Sequence, residues 1–379
     1  MPANDQAGRA FEFLRGRTAV VTGHTGFKGS WLTAWLHALG AHVVGIALDP
    51  PTQPSHFEAA RLGEIARDQR IDIRDRAALD DAIRQARPDV LFHLAAQPLV
   101  RRSYADPVET YSTNVLGTLH VLEALRALDR PCVAVIITSD KCYDNVEWVW
   151  GYRETDRLGG PDPYSASKGA AELVIRSHVR SFFAAGSPIR VGVGRAGNVV
   201  GGGDWAADRI VPDCVRAWSR GEVVDLRNPH ATRPWQHVLE PLSGYLALAE
   251  ALFRRPELHG EAFNFGPPPD QDDTVLQLVG ELSRYWGHVQ WREPADTASA
   301  THESGLLKLN CDKALHLLRW RAVLDFKETA QLTSEWYRAY YAQHPDIGQI
   351  TRDQISQYVS WAAERGLAWA QRAPGASVP

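Results

Sequence analysis

The sequence lacks the features that mark membrane-spanning and disulfide-rich proteins. No apolar run among its 379 residues reaches the roughly eighteen residues that a membrane-spanning helix needs. The four cysteines, Cys132, Cys142, Cys214 and Cys311, are scattered and form no C-x-x-C pair. This spacing indicates neither a zinc site nor a redox motif, so we expect no metal, free thiols and a cytoplasmic location.

The sequence also lacks an excess of charge of one sign. Its 41 basic and 45 acidic residues give a net charge of −4, which argues against a broad basic face for nucleic acid. The first sixteen residues are polar and mixed in charge, without the apolar core of a signal peptide. We therefore expect a loose N-terminal extension over residues 1–16, a frayed tail over residues 373–379 and no membrane partner.

The residues after this extension have the order of a nucleotide-binding unit. Thr18–Thr22 is apolar and β-branched, as in a buried parallel strand, and Ser30–Leu39 carries apolar residues at helical spacing. Between them lies the turn Gly23–Gly29, with the glycine spacing G-x-x-G-x-x-G. A second apolar run, His42–Leu48, ends at Asp49. Glycines let the backbone approach a pyrophosphate at a helix N-terminus, and an acid at this spacing meets a ribose 2′-hydroxyl.

The residues around Asp49 also bear on the choice between NAD and NADP. Pro50 and Pro51 follow it, and no arginine lies close to it in the sequence. An arginine at this position would favour the 2′-phosphate of NADP. We therefore predict NAD as the cofactor.

Strand-like and helix-like segments alternate through the first half of the chain. They are the strands Val90–Leu94, Cys132–Ser139 and Arg190–Arg195 and the helices Val108–Leu128 and Tyr164–Phe183. This alternation predicts an α/β protein with a Rossmann-type doubly wound parallel sheet. The alternation becomes less regular after Asn198. We expect an NAD-binding domain over residues 17–198 and a smaller, mainly substrate-binding domain over residues 199–372, from which some chain returns to the first.

Two short stretches carry the candidate chemistry. Tyr164 and Lys168 are four residues apart, a spacing that places a phenol and an ammonium on one face of a helix. A nearby lysine favours the phenolate and lowers the pKa of the phenol, so we predict that Tyr164 is a general base. The stretch Ser139-Asp140-Lys141 ends a predicted strand, where ligands bind in open parallel sheets. One tyrosine base is enough to oxidise an alcohol, so Asp140 and Lys141 indicate a further proton transfer.

Longer stretches match a known family in the right order. Besides the glycine turn, the Tyr-Lys pair and Asn114, they are Thr22–Trp31, His93–Ala96, Gln97–Tyr104, Thr138–Tyr143, Arg195–Trp205, Arg233–Gly244 and Asn264–Pro267. The chain resembles the extended short-chain dehydrogenase/reductase family from about residue 17 to about residue 337. Within that family it is similar to the nucleotide-sugar 4,6-dehydratases that act on CDP-glucose.

This resemblance implies one site for NAD and one for a nucleotide sugar. It implies cofactor contacts at Gly23, Thr25, Gly26, Phe27, Lys28, Asp49, Asp72, Ile73, Leu94, Ala95, Ala96, Asn114, Tyr164 and Lys168. It implies substrate contacts at Gln97, Asn198, Arg209, Arg227, Arg233 and His237. A guanidinium can grip phosphate oxygens in bidentate fashion, which suits these arginines to a pyrophosphate. His237 is equally well explained as a structural histidine, and Trp205 either flanks the base or packs its own loop.

The reaction that the resemblance implies is the dehydration of CDP-glucose to its 4-keto-6-deoxy derivative. Tyr164, assisted by Lys168, would take the proton of the C4 hydroxyl, and Ser139 would hydrogen-bond the same oxygen. Asp140 would protonate the departing C6 oxygen, and Lys141 is a candidate for the C5 proton, although the division between these two stays open. The nearest alternatives are a sugar-nucleotide 4-epimerase, which needs no C5/C6 elimination, and a dehydratase for another nucleotide-hexose. A non-catalytic NAD-sensing protein would not need both members of the Tyr-Lys pair.

Three local features depart from the pattern of related enzymes. Dehydratases for other nucleotides usually carry Asp-Glu where this chain has Asp140-Lys141, while lysine is what the CDP-glucose group shows. Ser304-Gly305 and Asn310 differ from the residues expected in that group. The resemblance further implies that Val108–Leu128 and Tyr164–Phe183 pair two subunits, so we expect a homodimer and leave a tetramer open.

Overall fold

The computed structural model describes residues 10–184, 186–287, 289–292 and 306–371. Its strands are β1 Thr18–Thr22, β2 His42–Ala47, β3 Arg67–Arg70, β4 Val90–His93, β5 Cys132–Ile137, β6 Ile189–Arg195, β7 Val199–Val200, β8 Val224–Asp225, β9 Gln236–His237, β10 Ala262–Asn264 and β11 Trp291–Arg292. Its α-helices are α1 Phe27–Ala38, α2 His56–Ala59, α3 Arg76–Ala86, α4 Val100–Ala105, α5 Pro107–Tyr111, α6 Gly117–Arg126, α7 Pro163–Phe182, α8 Ile210–Trp218, α9 Leu239–Arg254, α10 Val275–Arg284, α11 Phe326–Tyr341 and α12 Ile347–Glu364.

A seven-stranded sheet in the order β10-β6-β5-β4-β1-β2-β3 forms the centre of the fold. All of its strand pairs are parallel. Ala19 and Val21 pack into one hydrophobic cluster and Val20 into another, because successive side chains of a strand point to opposite faces. Both faces are therefore covered, and the prediction of a Rossmann-type doubly wound sheet is confirmed.

The order of the strands decides where a ligand can enter. Chain connections run outward in one direction from β1 through β2 to β3 and in the other from β4 through β5 to β6. Ligands of such sheets bind beyond the carboxyl ends of the strands where the direction reverses. Here that crevice lies beyond β1 and β4, and it is flanked by the end of β5.

The later part of the chain contributes to the same sheet. The strand β10 pairs with β6 through Ala262–Val193, Phe263–Gly194 and Asn264–Arg195, and α9 packs against β5 and β6. Later parts of the chain, β10 and α9, thus pack into the first domain, as the sequence analysis expected. The domain boundary near residue 198 stays a prediction.

The expectation of a loose N-terminal extension is wrong for residues 10–16. Ala10 and Leu14 are fully buried and Phe11 is 2% exposed. The Phe11 ring stacks on Trp369, with 5.1 Å between ring centroids. These three apolar side chains lie among polar residues in the sequence, so no apolar pattern indicated that they would be buried. Phe11 is buried against a residue more than 350 positions away along the chain. Residues 1–9 and the predicted tail 373–379 lie outside the described residues.

The predicted long helix over Val108–Leu128 is interrupted by a wider turn. The α-helix Pro107–Tyr111 continues as a π-helical segment, Ser112–Leu116, before α6 begins. Asn114 lies inside this segment. Such π segments occur often at functional sites, because they re-aim one side chain without ending the helix.

The described residues contain no helix that is long and apolar enough to cross a membrane. Across the same part of the chain, no group of three or more His, Cys, Asp or Glu side chains could hold a metal ion.

A buried carboxyl near the start of α9 joins the C-terminal helices to the sheet. Glu240 is 1% exposed and accepts hydrogen bonds from Val323 N at 2.9 Å, Leu324 N at 2.6 Å and Tyr358 Oη at 2.8 Å. Burial raises the pKa of Glu240 from 4.5 to about 7, although these donors oppose the shift. The folded protein therefore binds a proton more tightly at this carboxyl than the unfolded chain does.

We expect Glu240 to make the protein less stable as the pH rises from 4.5 to about 7. In this window the unfolded chain has lost the proton that the folded protein keeps, and the full effect is about 3 kcal/mol at 1.36 kcal/mol per pKa unit. Glu240→Gln keeps a carbonyl acceptor and should flatten that part of the profile. Urea-unfolding free energies at about pH 5 and about pH 8 measure the difference. The exposed Glu64→Gln is the control, and an equal slope in wild type and Glu240→Gln would contradict the assignment.

Candidate active site

The glycine turn after β1 is packed so closely that side chains cannot enter it. A Cβ on Gly23, whose φ is +76°, would lie 2.7 Å from Ala95 N, and one on Gly29 would lie 2.1 Å from Gly23 O. The helix α1 begins after Gly26, and no side chain caps its first N–H groups. These groups are suited to a pyrophosphate, because a helix N-terminus combines free donors with a positive dipole end. This turn therefore fits the pyrophosphate of a dinucleotide.

The residues predicted to hold the adenosine half of the cofactor lie at the ends of β2 and β3. Thr25 Oγ1 donates to Leu48 O at 2.9 Å, which ties the turn to β2. The Asp49 side chain is 92% exposed and is available to a ribose hydroxyl. Hydrogen bonds from Arg74 lower the pKa of Asp72, and Ile73 is buried with its carbonyl bound by His120.

The structure brings an arginine to Asp49 that the sequence neighbourhood did not reveal. Arg70, the last residue of β3, lies 3.7 Å from the Asp49 carboxylate. Its guanidinium also donates to Leu48 O at 2.9 Å and to Asp68 at 2.7 Å. The inference that no arginine is close to Asp49 holds along the sequence but is wrong for the folded protein. Because β2 and β3 are neighbours in the sheet, the end of β3 brings Arg70 next to Asp49. Two carboxylates share the charge of this arginine, so it does not offer an unopposed cation to a 2′-phosphate.

The loop after β4 is tied to α7 through the π-helical segment. Asn114 accepts from Gln97 N at 2.9 Å and donates to Gln97 O at 3.1 Å and to Ser167 Oγ at 2.9 Å. Leu94, Ala95 and Ala96 lead into this loop, directly after β4. The Gln97 side chain donates to Leu99 O and Thr110 Oγ1. Its amide is thus engaged by its own surroundings, and a substrate contact there stays a prediction.

His93 supports the end of β4 as a neutral side chain. Its two ring nitrogens lie 2.7 Å from Thr22 Oγ1 and 3.1 Å from Thr118 Oγ1. Burial lowers the pKa of His93 to about 3, and the nearby Lys168 lowers it further. A neutral, doubly hydrogen-bonded imidazole suits a structural role beside the cofactor.

The strand end of β5 presents Asp140 in a fixed orientation. Asp140 Oδ1 accepts from Ser139 Oγ at 2.8 Å and from Lys141 N at 2.9 Å. Asn198, which has a left-handed backbone with φ +52°, donates to Asp140 Oδ2 at 3.2 Å. A Cβ on Gly197 would lie only 1.9 Å from the same oxygen. Asp140 is 4% exposed, so these four neighbours leave its carboxyl little freedom to rotate.

Tyr164 joins this group from the first turn of α7. The helix starts after Asp162, whose side chain accepts from Ser165 N at 3.0 Å. The Tyr164 hydroxyl interacts with Ser139, and the charges of Asp140 and Arg209 act on it. The two stretches that the sequence singled out thus meet in one cluster. We call this group of Ser139, Asp140 and Tyr164 the catalytic cluster, after its predicted role.

The predicted direction of the pKa shift at Tyr164 is wrong for the protein by itself. Burial, with a smaller contribution from the charge of Asp140, raises the pKa of Tyr164 to about 12, although the hydrogen bond with Ser139 opposes this shift. Burial likewise lowers the pKa of Lys168 to about 8. The sequence argument counted only the attraction of the ammonium for a phenolate. In a site that is this dry, the cost of desolvating the phenolate exceeds that attraction.

Lys28 faces the catalytic cluster as well as the glycine turn. Burial lowers the pKa of Lys28 to about 8, and the positive charges of Lys168 and Arg209 add to this shift. Lys28 Nζ lies 3.4 Å from Tyr245 Oη, and Tyr245 is fully buried on α9. We predicted Lys28 only as a cofactor contact. Tyr245 and Gly197 were not singled out at all, since neither belongs to a motif with its own chemistry.

The three predicted arginines bind different partners. Arg209 precedes α8, pairs with Asp204 at 2.7 Å and acts electrostatically on Tyr164. Arg227 is exposed and pairs with Asp208 at 2.9 Å, to which Arg101 also donates at 2.8 Å. Arg233 is half-buried and donates to Thr232 O at 2.7 Å. Arg209 thus acts directly on the catalytic cluster.

Two aromatic side chains with open roles are buried. His237 is 0% exposed, burial lowers its pKa to about 3, and its ring meets Trp31 edge to face at 5.9 Å. Trp205 is 3% exposed and packs against Trp336, Tyr337 and Tyr340. Among the described residues, Trp205 thus packs its loop, and His237 contacts the core.

Of the residues that differ from those expected in the CDP-glucose group, Asn310 lies within the described part of the chain. Asn310 is bonded to the loop and the sheet, through its N–H to Tyr152 O at 2.9 Å and its carbonyl to Asn264 Nδ2 at 3.1 Å. Its side chain donates to Asp312 at 2.9 Å. Ser304-Gly305 lies outside the described residues.

The sheet, the glycine turn and the Tyr-Lys pair define a dinucleotide-dependent oxidoreductase fold of the short-chain type. The chain matches the NAD dependent epimerase/dehydratase family over residues 19–266 and belongs to it. It is an NAD-dependent protein, and the candidate active site lies on its Rossmann-type domain.

The chain is also similar to individual members of this family. The chain is 47% identical over 353 residues to the CDP-glucose 4,6-dehydratase of Salmonella typhimurium strain LT2, covering 92% of this chain and 98% of that protein. It is 30% identical over 331 residues to the dTDP-glucose 4,6-dehydratase of Streptomyces antibioticus, covering 84% and 92%. A solved structure with the same fold is the UDP-glucuronic acid 4-epimerase of Bacillus cereus in complex with UDP-glucuronic acid and NAD. It has a TM-score of 0.72 at 21% identity and covers 86% of this chain and 100% of that one.

Proposed function

We propose that this chain catalyses the NAD-dependent dehydration of CDP-glucose to CDP-4-keto-6-deoxyglucose. The observation that carries the proposal is the meeting of Ser139, Asp140 and Tyr164 in one buried cluster, with Lys141 directly following. A 4-epimerase needs a base for the C4 hydroxyl but no acid for a departing C6 hydroxyl. The 47% identity to a CDP-glucose 4,6-dehydratase over nearly the whole of both chains supports the same reaction.

The first half of the reaction is the oxidation at C4. Tyr164 takes the proton of the C4 hydroxyl, Ser139 shares a hydrogen bond with the same hydroxyl, and Lys168 stabilises the phenolate. Glycines of the turn and the start of α1 hold the pyrophosphate of the cofactor, and Asp49 holds its ribose. The chemistry that bound NAD supplies is a hydride acceptor for C4 and, later, a hydride donor for C6.

The second half is the loss of water across C5 and C6. A carbonyl at C4 makes the C5 proton acidic, so that one base can remove it while an acid protonates the C6 oxygen. Asp140 is assigned the acid role through Oδ2, because the donor to this oxygen, Asn198 Nδ2, lies at 3.2 Å, farther than the donors to Oδ1 at 2.8 and 2.9 Å. Lys141 is assigned the C5 proton. One water leaves and a double bond forms between C5 and C6. C6 then receives a hydride and C5 receives a proton from the solvent-exchanged base, so the product has a carbonyl at C4 and a methyl group at C6.

The substrate assignment rests on the arginines and on the relatives. Arg209 lies in the catalytic cluster, where a guanidinium can bind the pyrophosphate that joins the sugar to its nucleoside. Gln97, Asn198, Arg227, Arg233 and His237 remain proposed contacts of the same substrate. The choice of cytidine follows the Salmonella relative.

Incubation of the purified protein with CDP-glucose in deuterated water tests the proposal. We expect a product that has lost one water, carries one deuterium at C5 and forms without net production of NADH. A C4 epimer without loss of water would instead identify an epimerase. If CDP-glucose is unchanged while UDP-glucose or dTDP-glucose loses water, the reaction class stands and the nucleotide assignment is wrong.

We further propose a homodimer formed by the helices around α5 and α7. Apolar side chains on these helices point to solvent, with exposed fractions of 75% for Val108, 49% for Leu116 and 55% for Leu173. Such a patch favours a second copy of the chain. Sedimentation velocity should give the mass of two chains at micromolar concentration, and the mass of one chain would contradict the dimer. We also propose a cytoplasmic location, which the four free cysteines support.

A further inference from the structure

A buried ion pair lies behind the catalytic cluster. Glu172 is 4% exposed and Arg195 is 1% exposed. Arg195 donates from Nε to Glu172 Oε1 at 2.8 Å and from Nη2 to Oε2 at 2.9 Å. This bidentate geometry fixes the relative orientation of both side chains. The desolvation of two charges offsets most of the stability that such a pair provides, so stability alone does not explain it.

The carboxylate of the pair belongs to the helix that carries the base. Tyr164, Lys168 and Glu172 follow one another at intervals of four residues on α7. Residues at this spacing lie on one face of a helix. A contact that fixes Glu172 therefore also fixes the position of α7 along its axis and its rotation about that axis. It thereby fixes the helix face that carries Tyr164 and Lys168.

The pair also grips both ends of the segment that carries the acid. Thr138 Oγ1, directly before Ser139, donates to Glu172 Oε1 at 2.6 Å. Tyr143 Oη, two residues after Lys141, accepts from Arg195 Nη1 at 2.7 Å. Tyr143 in turn donates to Asn264 Oδ1 at 2.7 Å. The segment Ser139–Lys141 is thus held between two hydrogen bonds to one ion pair.

The arginine of the pair fixes a third element. Arg195 is the last residue of β6, and Gly197 and Asn198 follow it almost directly. These two residues contact Asp140 Oδ2, one by close packing and one by a hydrogen bond. All three chain segments that meet at the catalytic cluster are therefore joined through Glu172 and Arg195.

We propose that Glu172 and Arg195 are positioning residues, whose ion pair sets the register between the helix bearing Tyr164 and Lys168 and the strand end bearing Asp140 and Lys141. This inference rests on the proposed dehydration, because that reaction needs both groups at one sugar. Neither residue touches the substrate in this proposal. They act through the groups that they hold.

The pair has an electrostatic effect on Lys168 as well. The charged or titratable groups that act on Lys168 are Lys28 from α1, His93 from β4, Cys142 from the turn after β5 and Glu172 from α7 itself. Burial lowers the pKa of Lys168 to about 8, and Glu172 opposes that shift. Loss of the carboxylate should therefore lower the pKa of Lys168 further.

The first experiment removes both charges together. The double variant Glu172→Gln, Arg195→Met leaves no unpaired charge in the interior, so it should keep the melting temperature of the wild type. We expect kcat to fall about 100-fold, as for other small misplacements of catalytic groups, with little change in KM. A double variant that melts like the wild type and has the wild-type kcat would overturn the proposal.

A milder variant covers the case in which the double variant does not fold. Thr138→Val removes only the hydroxyl that links Glu172 to the Ser139–Lys141 segment. We expect kcat to fall about tenfold, which is a loss of one strong hydrogen bond in the alignment of the site. Thr333→Val is the matched control, because Thr333 is also fully buried and its hydroxyl bonds only to Thr329 O within its own helix. Equal kcat values in the two variants would overturn the proposal.

A readout without turnover separates this proposal from the assignment of the reaction. The chain has only six lysines, at positions 28, 141, 168, 308, 313 and 327, so isotope-labelled lysine side chains can be titrated individually by NMR. The pKa of Lys168 should be lower in the double variant than in the wild type, whether or not CDP-glucose is the substrate. An unchanged Lys168 titration in a folded double variant would overturn the link between Glu172 and the base. A wild type that titrates as described but leaves CDP-glucose intact would refute the proposed function alone.

Discussion

Tyr164→Phe is expected to lower kcat about 10³-fold while the protein stays folded and still binds NAD through its other contacts. The hydroxyl is the only group lost, and removal of a positioned general base costs about 10²–10⁴ in rate. Burial holds the pKa of Tyr164 at about 12 in the protein by itself, and Tyr164 is the group that we assign as the base for the C4 hydroxyl. Steady-state dehydration of CDP-glucose measures kcat, and fluorescence titration measures NAD binding.

A matched tyrosine away from the site serves as the control for this substitution. Tyr104 is 64% exposed, and Tyr104→Phe should leave both kcat and the affinity for NAD unchanged. If Tyr164→Phe kept more than about a tenth of the wild-type kcat, Tyr164 would not be the base. The acid and base roles of Asp140 and Lys141 would then need to be assigned again.

Gly197→Ala is expected to lower kcat about 100-fold with a correctly folded protein. The added Cβ would lie 1.9 Å from Asp140 Oδ2 and 2.0 Å from its Cγ, distances at which something must move. The Asp140 side chain is short and is held by Ser139 and Asn198, so it cannot yield without breaking these hydrogen bonds. A displacement of about 1 Å at a reacting group is enough for a loss of this size. Product formation from CDP-glucose measures the effect, and circular dichroism checks the fold.

Gly280→Ala provides the matched control for this change. Gly280 lies in α10, and a Cβ there meets nothing within 4 Å. Alanine is favoured over glycine within a helix by about 0.5–1 kcal/mol, so this variant should be slightly more stable and fully active. Wild-type kcat in Gly197→Ala would show that the orientation of Asp140 does not limit the reaction.

The importance of Tyr164 could be predicted from the sequence, whereas the importance of Gly197 could not. Tyr164 was found from its spacing to Lys168, because a four-residue interval has the same meaning in every helix. The importance of Gly197 could not be found in this way. It depends on the approach of the end of β6 to the end of β5, which only the strand order of the sheet creates.

The electrostatics of the site likewise depend partly on features visible in the sequence and partly on the folded structure. Proximity of a lysine to a tyrosine was visible in the sequence, but the pKa of Tyr164 depends on how much water the site admits. In the folded protein burial outweighs the neighbouring charges. Likewise Arg70 is distant from Asp49 in the sequence and lies 3.7 Å from it in space, because neighbouring parallel strands bring their ends together.

The sequence by itself determined the class of the fold and the cofactor, and it predicted the residues of the catalytic stretches. These follow from local patterns, namely a glycine turn between a strand and a helix, alternating apolar segments and a Tyr-Lys pair at helical spacing. Only the tertiary structure decided which side chains hold that chemistry in place. The ion pair of Glu172 and Arg195, the contact of Gly197 with Asp140 and the burial of Phe11 on Trp369 all join distant parts of the chain. Such contacts depend on how elements pack, and packing is a property of the whole fold, which no local pattern of residues contains.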